Sequence, residues 1–238
     1  LNDRVTGRPV AVMEGSIISK QRTAASAALA SRVLAQGEPN TIGFVGCGPI
    51  NTSVAQFLTT VWPNTGRLVA FDLDSARAET FGVELLTRRP GLDFHVAANL
   101  QELLNECSMV SFGTTAIKPY VDDLEASPAG ATILHVSLRD LTADVVLSNH
   151  NIVDDLDHVN RAATSIHLAS EQAGHTNFVH SSLGDLLLGK TKLPQRDGRK
   201  FIFSPFGLGV LDLAVADLVL NTVADEGDGV LVKSFLPA

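Results

Sequence analysis

Short apolar runs alternate along the chain with longer segments in which apolar residues recur every three or four positions. The short runs predict buried β-strands, and the longer segments predict helices that bury one face. The predicted strands cover residues 10–13, 41–45, 67–71, 94–97, 109–112, 132–136 and 151–153, with a closing strand at 230–235. The predicted helices cover residues 17–36, 52–61, 75–89, 100–105, 157–174 and 207–225, with Ser75, Asn99 and Asp157 as N-terminal caps.

This alternation of strands and helices predicts an α/β fold. Consecutive parallel strands need a crossover, and a helix supplies it here, so the pattern is typical of a doubly wound, Rossmann-type parallel sheet. Open sheets of this kind bind ligands in the crevice at the carboxyl ends of their strands. Functional residues are therefore expected directly after the predicted strands.

Charge and composition exclude several classes of function. The 238 residues carry a formal net charge of −8, so the chain lacks the basic surface that binds nucleic acid or an anionic membrane. No apolar stretch approaches the roughly 20 residues of a membrane span. Cys47 and Cys107 have neither metal-ligand nor disulfide spacing, which is typical of a cytoplasmic protein.

The strongest local signal is the sequence Gly-Cys-Gly-Pro-Ile-Asn at residues 46–51, between a predicted strand and a predicted helix. Gly46 permits a sharp turn, Gly48 lets backbone amides approach a pyrophosphate, and Pro49 and Ile50 open the helix whose positive end faces the phosphates. Asp72 ends the next strand, where a carboxylate can bind the adenine ribose.

These residues predict NAD as the cofactor. No arginine directly follows Asp72, and its carboxylate would repel the 2′-phosphate of NADP. Asn51 replaces the third small residue of the usual fingerprint. The alternative is that the two glycines only shape a turn and that Asp72 is a solvated strand end.

Further polar residues follow the fourth and fifth predicted strands. Thr114, Thr115 and Ser137 are candidate cofactor contacts on the same crevice, and each is equally explained as a cap or turn residue. Asp140 lies just past the fifth strand, from which a carboxylate can reach the nicotinamide side of the crevice. The alternative for Asp140 is that it caps the next turn.

Oxidation of an amino acid needs a cation for the substrate carboxylate and a base for the amine proton. Lys20, Arg22 and Thr23 form a compact polar site in the first helix, where Arg22 is a candidate to bind a carboxylate or the cofactor phosphate. Arg139 is a candidate to fix Asp140 or to bind substrate. A solvated surface pair is the alternative for Lys20 and Arg22.

Three aspartates and a histidine at 154, 155, 157 and 158 resemble a set of metal ligands. No second group with metal-ligand spacing accompanies them. We therefore predict no metal site, and expect Asp157 to cap the following helix.

The chain resembles the ornithine cyclodeaminase/mu-crystallin family, and within it the dehydrogenases of 2,3-diaminopropionate biosynthesis. The segments that carry the resemblance are 19–27 (SKQRTAASA), 46–51 (GCGPIN), 135–141 (HVSLRDL), 153–159 (VDDLDHV) and 203–214 (FSPFGLGVLDLA). The first segment marks the family, and the last three indicate the diaminopropionate branch.

The resemblance implies roles for several residues. Arg22 and Thr23 would contact cofactor or substrate, Asp72 the ribose, and Asp140 would be the acid–base carboxylate. Phe206 would close the substrate pocket. The implied reaction is the NAD-dependent oxidation of N-(2-amino-2-carboxyethyl)-L-glutamate and hydrolysis of the imine to 2-oxoglutarate and L-2,3-diaminopropionate.

The resemblance also implies a domain organisation. Residues 37–200 would form the NAD-binding domain, while residues 1–36 and 201–238 would belong to a second domain for substrate binding and homodimer formation. Family members have a further upstream segment in that second domain, and this chain begins at Leu1 without an initiator methionine. We therefore expect the second domain to be truncated and the fragment to hold cofactor even if it lacks turnover.

Two other enzyme activities and one other class stay open. Ornithine cyclodeaminases carry two glycines before the aspartate and a lysine after it, whereas here Leu138 and Arg139 precede Asp140 and that lysine is absent. Alanine dehydrogenase or ketimine reductase is the second alternative. A non-catalytic module that binds NAD(P)H is the alternative of another class.

Overall fold

The computed structural model describes residues 1–226 and 229–232. The strands are β1 (Thr41–Val45), β2 (Arg67–Phe71), β3 (Asp93–Val96), β4 (Met109–Phe112), β5 (Thr132–His135), β6 (His150–Val153), β7 (Val179–Ser182) and β8 (Phe201–Ser204). The helices are α1 (Gly15–Leu34), α2 (Pro49–Val61), α3 (Ser75–Arg88), α4 (Leu100–Glu106), α5 (Ala143–Leu147), α6 (Leu156–Val159), α7 (Ser165–Ala173), α8 (Leu183–Leu187) and α9 (Gly209–Glu226).

The eight strands form one sheet in the order β3-β2-β1-β4-β5-β8-β6-β7, and every neighbouring pair is parallel. The chain runs outward from β1 to β3 and then returns to the other side of β1 with β4. The switch point of this doubly wound sheet therefore lies between the carboxyl ends of β1 and β4. The predicted fold class is confirmed.

Alternate side chains of the strands supply two apolar clusters, one on each face of the sheet. Helices α1, α2, α3 and α8 cover the face that carries Phe44 and Phe203. Helices α4, α5 and α7 cover the face that carries Val45 and Ile202. Since both faces are covered, the exposed carboxyl edge of the sheet is left for binding.

Several predicted element boundaries and caps were wrong. Residues 10–13 form no strand, and residues 157–174 form two helices with a turn between them rather than one. The caps of α3 and α6 are Asp74 and Asp155, not Ser75 and Asp157, because those carboxylates are the ones that accept from the first-turn amides. Asn99 caps α4 as predicted.

Two strands were not predicted, and one predicted strand falls partly outside the described residues. Strand β7 has the mostly polar sequence VHSS, and β8 has the sequence FIFS, a short run whose period alone does not separate a strand from a buried helix. Of the predicted strand at 230–235, residues 230–232 are irregular and the others lie beyond the described part of the chain.

The chain divides into two compact units. One contains Leu1–Arg22 and the described residues from Leu208 onward, and the other contains Thr23–Gly207. The predicted domain boundaries at residues 36 and 200 stay a prediction; within the second unit, α1 packs against the sheet as far as Leu34 and β8 is a central strand. Among the described helices none is long and apolar enough to cross a bilayer.

Candidate dinucleotide and acid–base site

The turn after β1 brings two strand ends into backbone contact. Gly46 has a φ of +82°, and its amide donates to the Phe71 carbonyl oxygen at 2.8 Å. A Cβ atom at this position would lie 2.8 Å from the carbonyl oxygen of Gly113, which follows β4. Only glycine satisfies both the left-handed conformation and the close approach.

Helix α2 begins with free space in front of it. Gly48 is its N-cap and provides no side-chain hydrogen bond, while Pro49 takes a first-turn position. A Cβ atom at Gly48 would meet no other atom within 4 Å. The space beside Gly48 is therefore open at the start of this 13-residue helix, where a phosphate can bind, and half-buried Ile50 lies in the first turn.

Asp72 is hydrogen-bonded to the same turn. Its Oδ2 accepts from the Cys47 amide at 2.8 Å, and its Oδ1 accepts from the Asp74 amide at 3.0 Å. Burial and the neighbouring carboxylate raise the pKa of the Cys47 thiol to about 12, so this cysteine is a neutral thiol rather than a nucleophile. Glycine turn, open helix end and adjacent carboxylate together fit a dinucleotide that has no 2′-phosphate.

Asn51 has a structural function that the sequence did not reveal. Its side chain is fully buried, and its Nδ2 lies within 3.3 Å of the carbonyl oxygens of Val45, Gly46 and Ser111. Its Oδ1 accepts from the Ser111 hydroxyl at 2.7 Å. The amide thus ties β1 to β4 at the switch point, which explains why a larger residue replaces the third small residue of the fingerprint.

Asp140 lies beyond the carboxyl end of β5 and is fully buried. Its Oδ1 accepts from the hydroxyls of Thr114 and, at 3.1 Å, Tyr120. Its Oδ2 lies 2.5 Å from the Ser137 hydroxyl and 3.2 Å from His135 Nε2. Asp140 therefore accepts from four side chains rather than capping a turn.

The donors keep Asp140 ionised in spite of its burial. Burial alone would raise the pKa of this carboxyl, but hydrogen bonds from His135, Ser137 and Thr114 outweigh it and hold the pKa below its usual value. An ionised carboxylate only accepts hydrogen bonds, so its 3.2 Å contact requires a donor at His135 Nε2. The backbone amide of Asp140 lies 3.3 Å from the same nitrogen, and His135 Nδ1 lies 3.1 Å from the Ser204 hydroxyl.

Tyr120 and His135 belong to this site but were not predicted as site residues. Tyr120 lies in the loop between β4 and β5, where no period or motif singles it out. His135 lies inside an apolar strand and is 1% exposed. The available signal was its position at the carboxyl end of a central strand.

Arg139 contacts the backbone of a neighbouring turn. Its guanidinium donates to the carbonyl oxygens of Ala162 and Ala163, at 2.6 and 3.0 Å. Both alanines have a positive φ, +57° and +51°. Arg139 is not among the four side chains that donate to Asp140, and its role in substrate binding stays a prediction.

Asp154 anchors the segment that contains Phe206. Its two carboxylate oxygens accept from the amides of Phe206 and Gly207, at 3.0 and 2.6 Å. Asp155 accepts from the amide and the ring of His158 at the start of α6. Backbone amides and a ring nitrogen thus contact two of the three carboxylates that the sequence grouped as possible metal ligands, those of Asp154 and Asp155.

The predicted substrate-side cations lie in the first unit. Arg22 forms a 3.0 Å ion pair with Asp212 of α9 and donates to Ser19 at 3.3 Å. Lys20 is half-buried in the same turns of α1. Thr23, where the second unit begins, is half-buried, and Thr115 is exposed after β4.

Comparison with known proteins places these features in a family. Residues 1–227 match the model of the ornithine cyclodeaminase/mu-crystallin family. An N-((2S)-2-amino-2-carboxyethyl)-L-glutamate dehydrogenase of Staphylococcus aureus is 26% identical over 237 residues, which are 99% of this chain and 70% of the relative.

Two solved structures share the fold along nearly the whole chain. An archaeal alanine dehydrogenase dimer with bound NAD is 26% identical, with a TM-score of 0.89 over 98% of this chain and 73% of the other. A Thermococcus litoralis Δ1-pyrroline-2-carboxylate reductase in complex with NADH and L-proline is 23% identical, with a TM-score of 0.90 over 97% of this chain and 72% of the other.

Proposed function

Because the chain belongs to the ornithine cyclodeaminase/mu-crystallin family, we propose that it is the NAD-dependent dehydrogenase that oxidises N-(2-amino-2-carboxyethyl)-L-glutamate. The broader predictions, an oxidoreductase of carbon–nitrogen bonds and NAD as its cofactor, are confirmed by relatives that are such enzymes and by structures with NAD or NADH bound. The substrate is the part that experiment must decide.

One observation supports this proposal most directly. Hydrogen bonds link the ends of three adjacent strands: the Gly113 amide donates to the Val45 carbonyl oxygen at the end of β1, and the Thr114 hydroxyl donates to Asp140 after β5. This supports placing the dinucleotide turn and an ionised carboxylate at the same edge of the sheet. This is the arrangement that an oxidation coupled to proton transfer needs.

The proposed reaction removes a hydride and a proton from the substrate and then adds water. The carbon–hydrogen bond of the glutamate α-carbon breaks, and NAD bound at the glycine turn would supply the acceptor for that hydride. The neighbouring nitrogen loses a proton, which leaves a carbon–nitrogen double bond. Water then adds to the carbon, and cleavage of the carbon–nitrogen bond releases 2-oxoglutarate and L-2,3-diaminopropionate.

In this proposal the chain's own residues bind the cofactor and handle the proton. Asp140 is the acid–base carboxylate and Asp72 contacts the ribose. The further cofactor contacts are Gly46, Gly48, Pro49, Ile50, Thr114, Thr115, Ser137, Arg22 and Thr23, and the substrate contacts are Lys20, Arg22, Arg139 and Phe206. We also propose a homodimer, as in the archaeal relative, which light scattering of the purified chain would test.

Incubation of the full-length protein with NAD and single candidate substrates tests the reaction. We expect NADH absorbance to rise with N-(2-amino-2-carboxyethyl)-L-glutamate and to stay flat with L-alanine. With L-ornithine a cyclodeaminase would release proline without net NADH, so proline is measured as well. NADH formation with alanine alone would overturn our proposal in favour of an alanine dehydrogenase. An alanine dehydrogenase of Archaeoglobus fulgidus is 26% identical to this chain, the same identity as the dehydrogenase of Staphylococcus aureus.

The non-catalytic alternative makes a different prediction. A module that only binds the dinucleotide would quench or enhance NADH fluorescence with no turnover on any of these amino acids. That result would overturn the proposed reaction while leaving the cofactor site in place.

A further inference from the structure

Asp140 is too deeply buried to exchange a proton directly with a molecule in the crevice. The residue has no exposed surface, and four donors surround its two carboxylate oxygens. A carboxylate in this position needs another group to exchange a proton with a molecule in the crevice. Each of its four donors is a candidate for that function.

Exposure separates the candidates. His135 and Ser137 are buried, at 1% and 9% exposed, and Thr114 is half-buried. Tyr120 is 44% exposed, and its hydroxyl lies 3.1 Å from Asp140 Oδ1. Tyr120 therefore connects Asp140 with the surface better than the other three donors.

The backbone fixes Tyr120 relative to Asp140. The amides of Tyr120 and Val121 both donate to the Asp140 carbonyl oxygen, at 3.0 and 2.9 Å, and the Thr142 amide donates to the Val121 carbonyl at 3.0 Å. Val121 and Leu141 form an isolated parallel bridge. These bonds set the tyrosine hydroxyl against the carboxylate by local structure rather than by a flexible side chain alone.

We propose that Tyr120 is a proton relay between the substrate and Asp140. A proton passes from the substrate nitrogen, or from the attacking water, to the Tyr120 oxygen. In the same step the original hydroxyl proton passes to Asp140 Oδ1. The tyrosine ends as it began and the carboxylate becomes a carboxylic acid, so charge and protons balance.

The chemistry of the hydroxyl agrees with a relay rather than with a tyrosinate base. Partial burial of the side chain, and then the charge of Asp140, raise the pKa of Tyr120 well above its usual value. The hydroxyl therefore stays protonated near neutral pH, and Asp140 beside it accepts the proton. The proposal rests on the proposed function for its substrate, but the coupling of the two side chains stands independently.

Tyr120→Phe removes the hydroxyl and keeps the ring. We expect kcat to fall about 100-fold or more, the range of general acid–base catalysis, with NADH affinity within about 2-fold of wild type. Ser204→Ala removes a buried hydroxyl that contacts His135 on the ring nitrogen away from Asp140, and it should lower kcat by less than about 10-fold. Equal losses in both variants, or a Tyr120→Phe kcat within about 3-fold of wild type, would overturn the relay.

A second measurement does not depend on turnover. The chain contains one tyrosine, so the ultraviolet absorbance of tyrosinate in an alkaline titration reports Tyr120 alone. The charged or titratable groups at this hydroxyl and its hydrogen-bonded carboxylate are Asp140 and, behind it, His135. Asp140→Asn should move tyrosinate formation to lower pH, because the neighbouring negative charge is gone.

The two measurements separate the two proposals. Absence of turnover in wild type with a clear shift of the tyrosine titration would contradict the substrate proposal and support the coupling of Tyr120 to Asp140. A tyrosine titration that is identical in wild type and Asp140→Asn would overturn the relay whatever the activity.

Discussion

At the scale of single residues, Asp140 is a fully buried carboxylate that stays ionised. The four donors stabilise the ionised form, so an amide at this position would keep the shape and lose the proton acceptor. We predict that Asp140→Asn lowers kcat about 100-fold or more while NADH affinity stays near that of wild type. Exposed Asp144→Asn on α5 is the matched control and should leave kcat within about 2-fold.

The same carboxylate predicts a pH dependence of stability. The pKa of Asp140 is lowered in the folded protein, so its contribution is present above the unfolded pKa of about 3.9 and is lost as pH falls through the folded pKa. The difference in Tm between wild type and Asp140→Asn should be constant near neutral pH and should shrink below about pH 4. A difference that grows with acid would contradict the ionised assignment.

At the scale of elements, the Asn51 side chain adds to the backbone pairing of β1 and β4 at the switch point. Asn51→Ala removes the buried amide and leaves the carbonyl oxygens of Val45 and Ser111 without this donor. We predict a loss of about 1–3 kcal/mol in the free energy of unfolding, measured by urea denaturation. Exposed Asn105→Ala on α4 should change it by less than about 0.5 kcal/mol.

Asp154 holds the segment after β8 by two hydrogen bonds to backbone amides. Asp154→Ala removes the acceptor of two amides, so we expect residues 205–207 to become more susceptible to limited proteolysis. Exposed Asp157→Ala in the neighbouring helix α6 provides the control. Equal cleavage rates in the two variants would show that the carboxylate does not hold the segment.

At the scale of the whole molecule, the cofactor should stabilise the fold. A ligand that binds only the folded state adds about 2.7 kcal/mol at 100 times its Kd. We predict that NADH raises the Tm by several degrees and that NADPH at equal concentration raises it less, because Asp72 would face the 2′-phosphate. Exposed Asp93→Asn, at the amino end of β3, should keep this preference, and Asp72→Asn should reduce it.

The same scale shows what the sequence could predict. The first six strands, the glycine turn and Asp140 followed from the period of apolar residues and from their position after strands. Hydrogen bonds between distant segments did not, since nothing in sequence order pairs Asp140 with Tyr120 or Asn51 with Ser111. The caps of α3 and α6 were displaced by one and two residues because several adjacent aspartates and serines are equally good caps.

The turn that Arg139 holds has a consequence for engineering. Left-handed backbone costs an alanine about 1 kcal/mol or more, whereas glycine adopts it freely. Replacing Ala162 or Ala163 by glycine would therefore remove backbone strain from the folded state. The greater conformational freedom of glycine in the unfolded chain would partly offset this gain in stability. This turn is a place where thermal tolerance can be adjusted without changing a side chain that contacts the buried carboxylate.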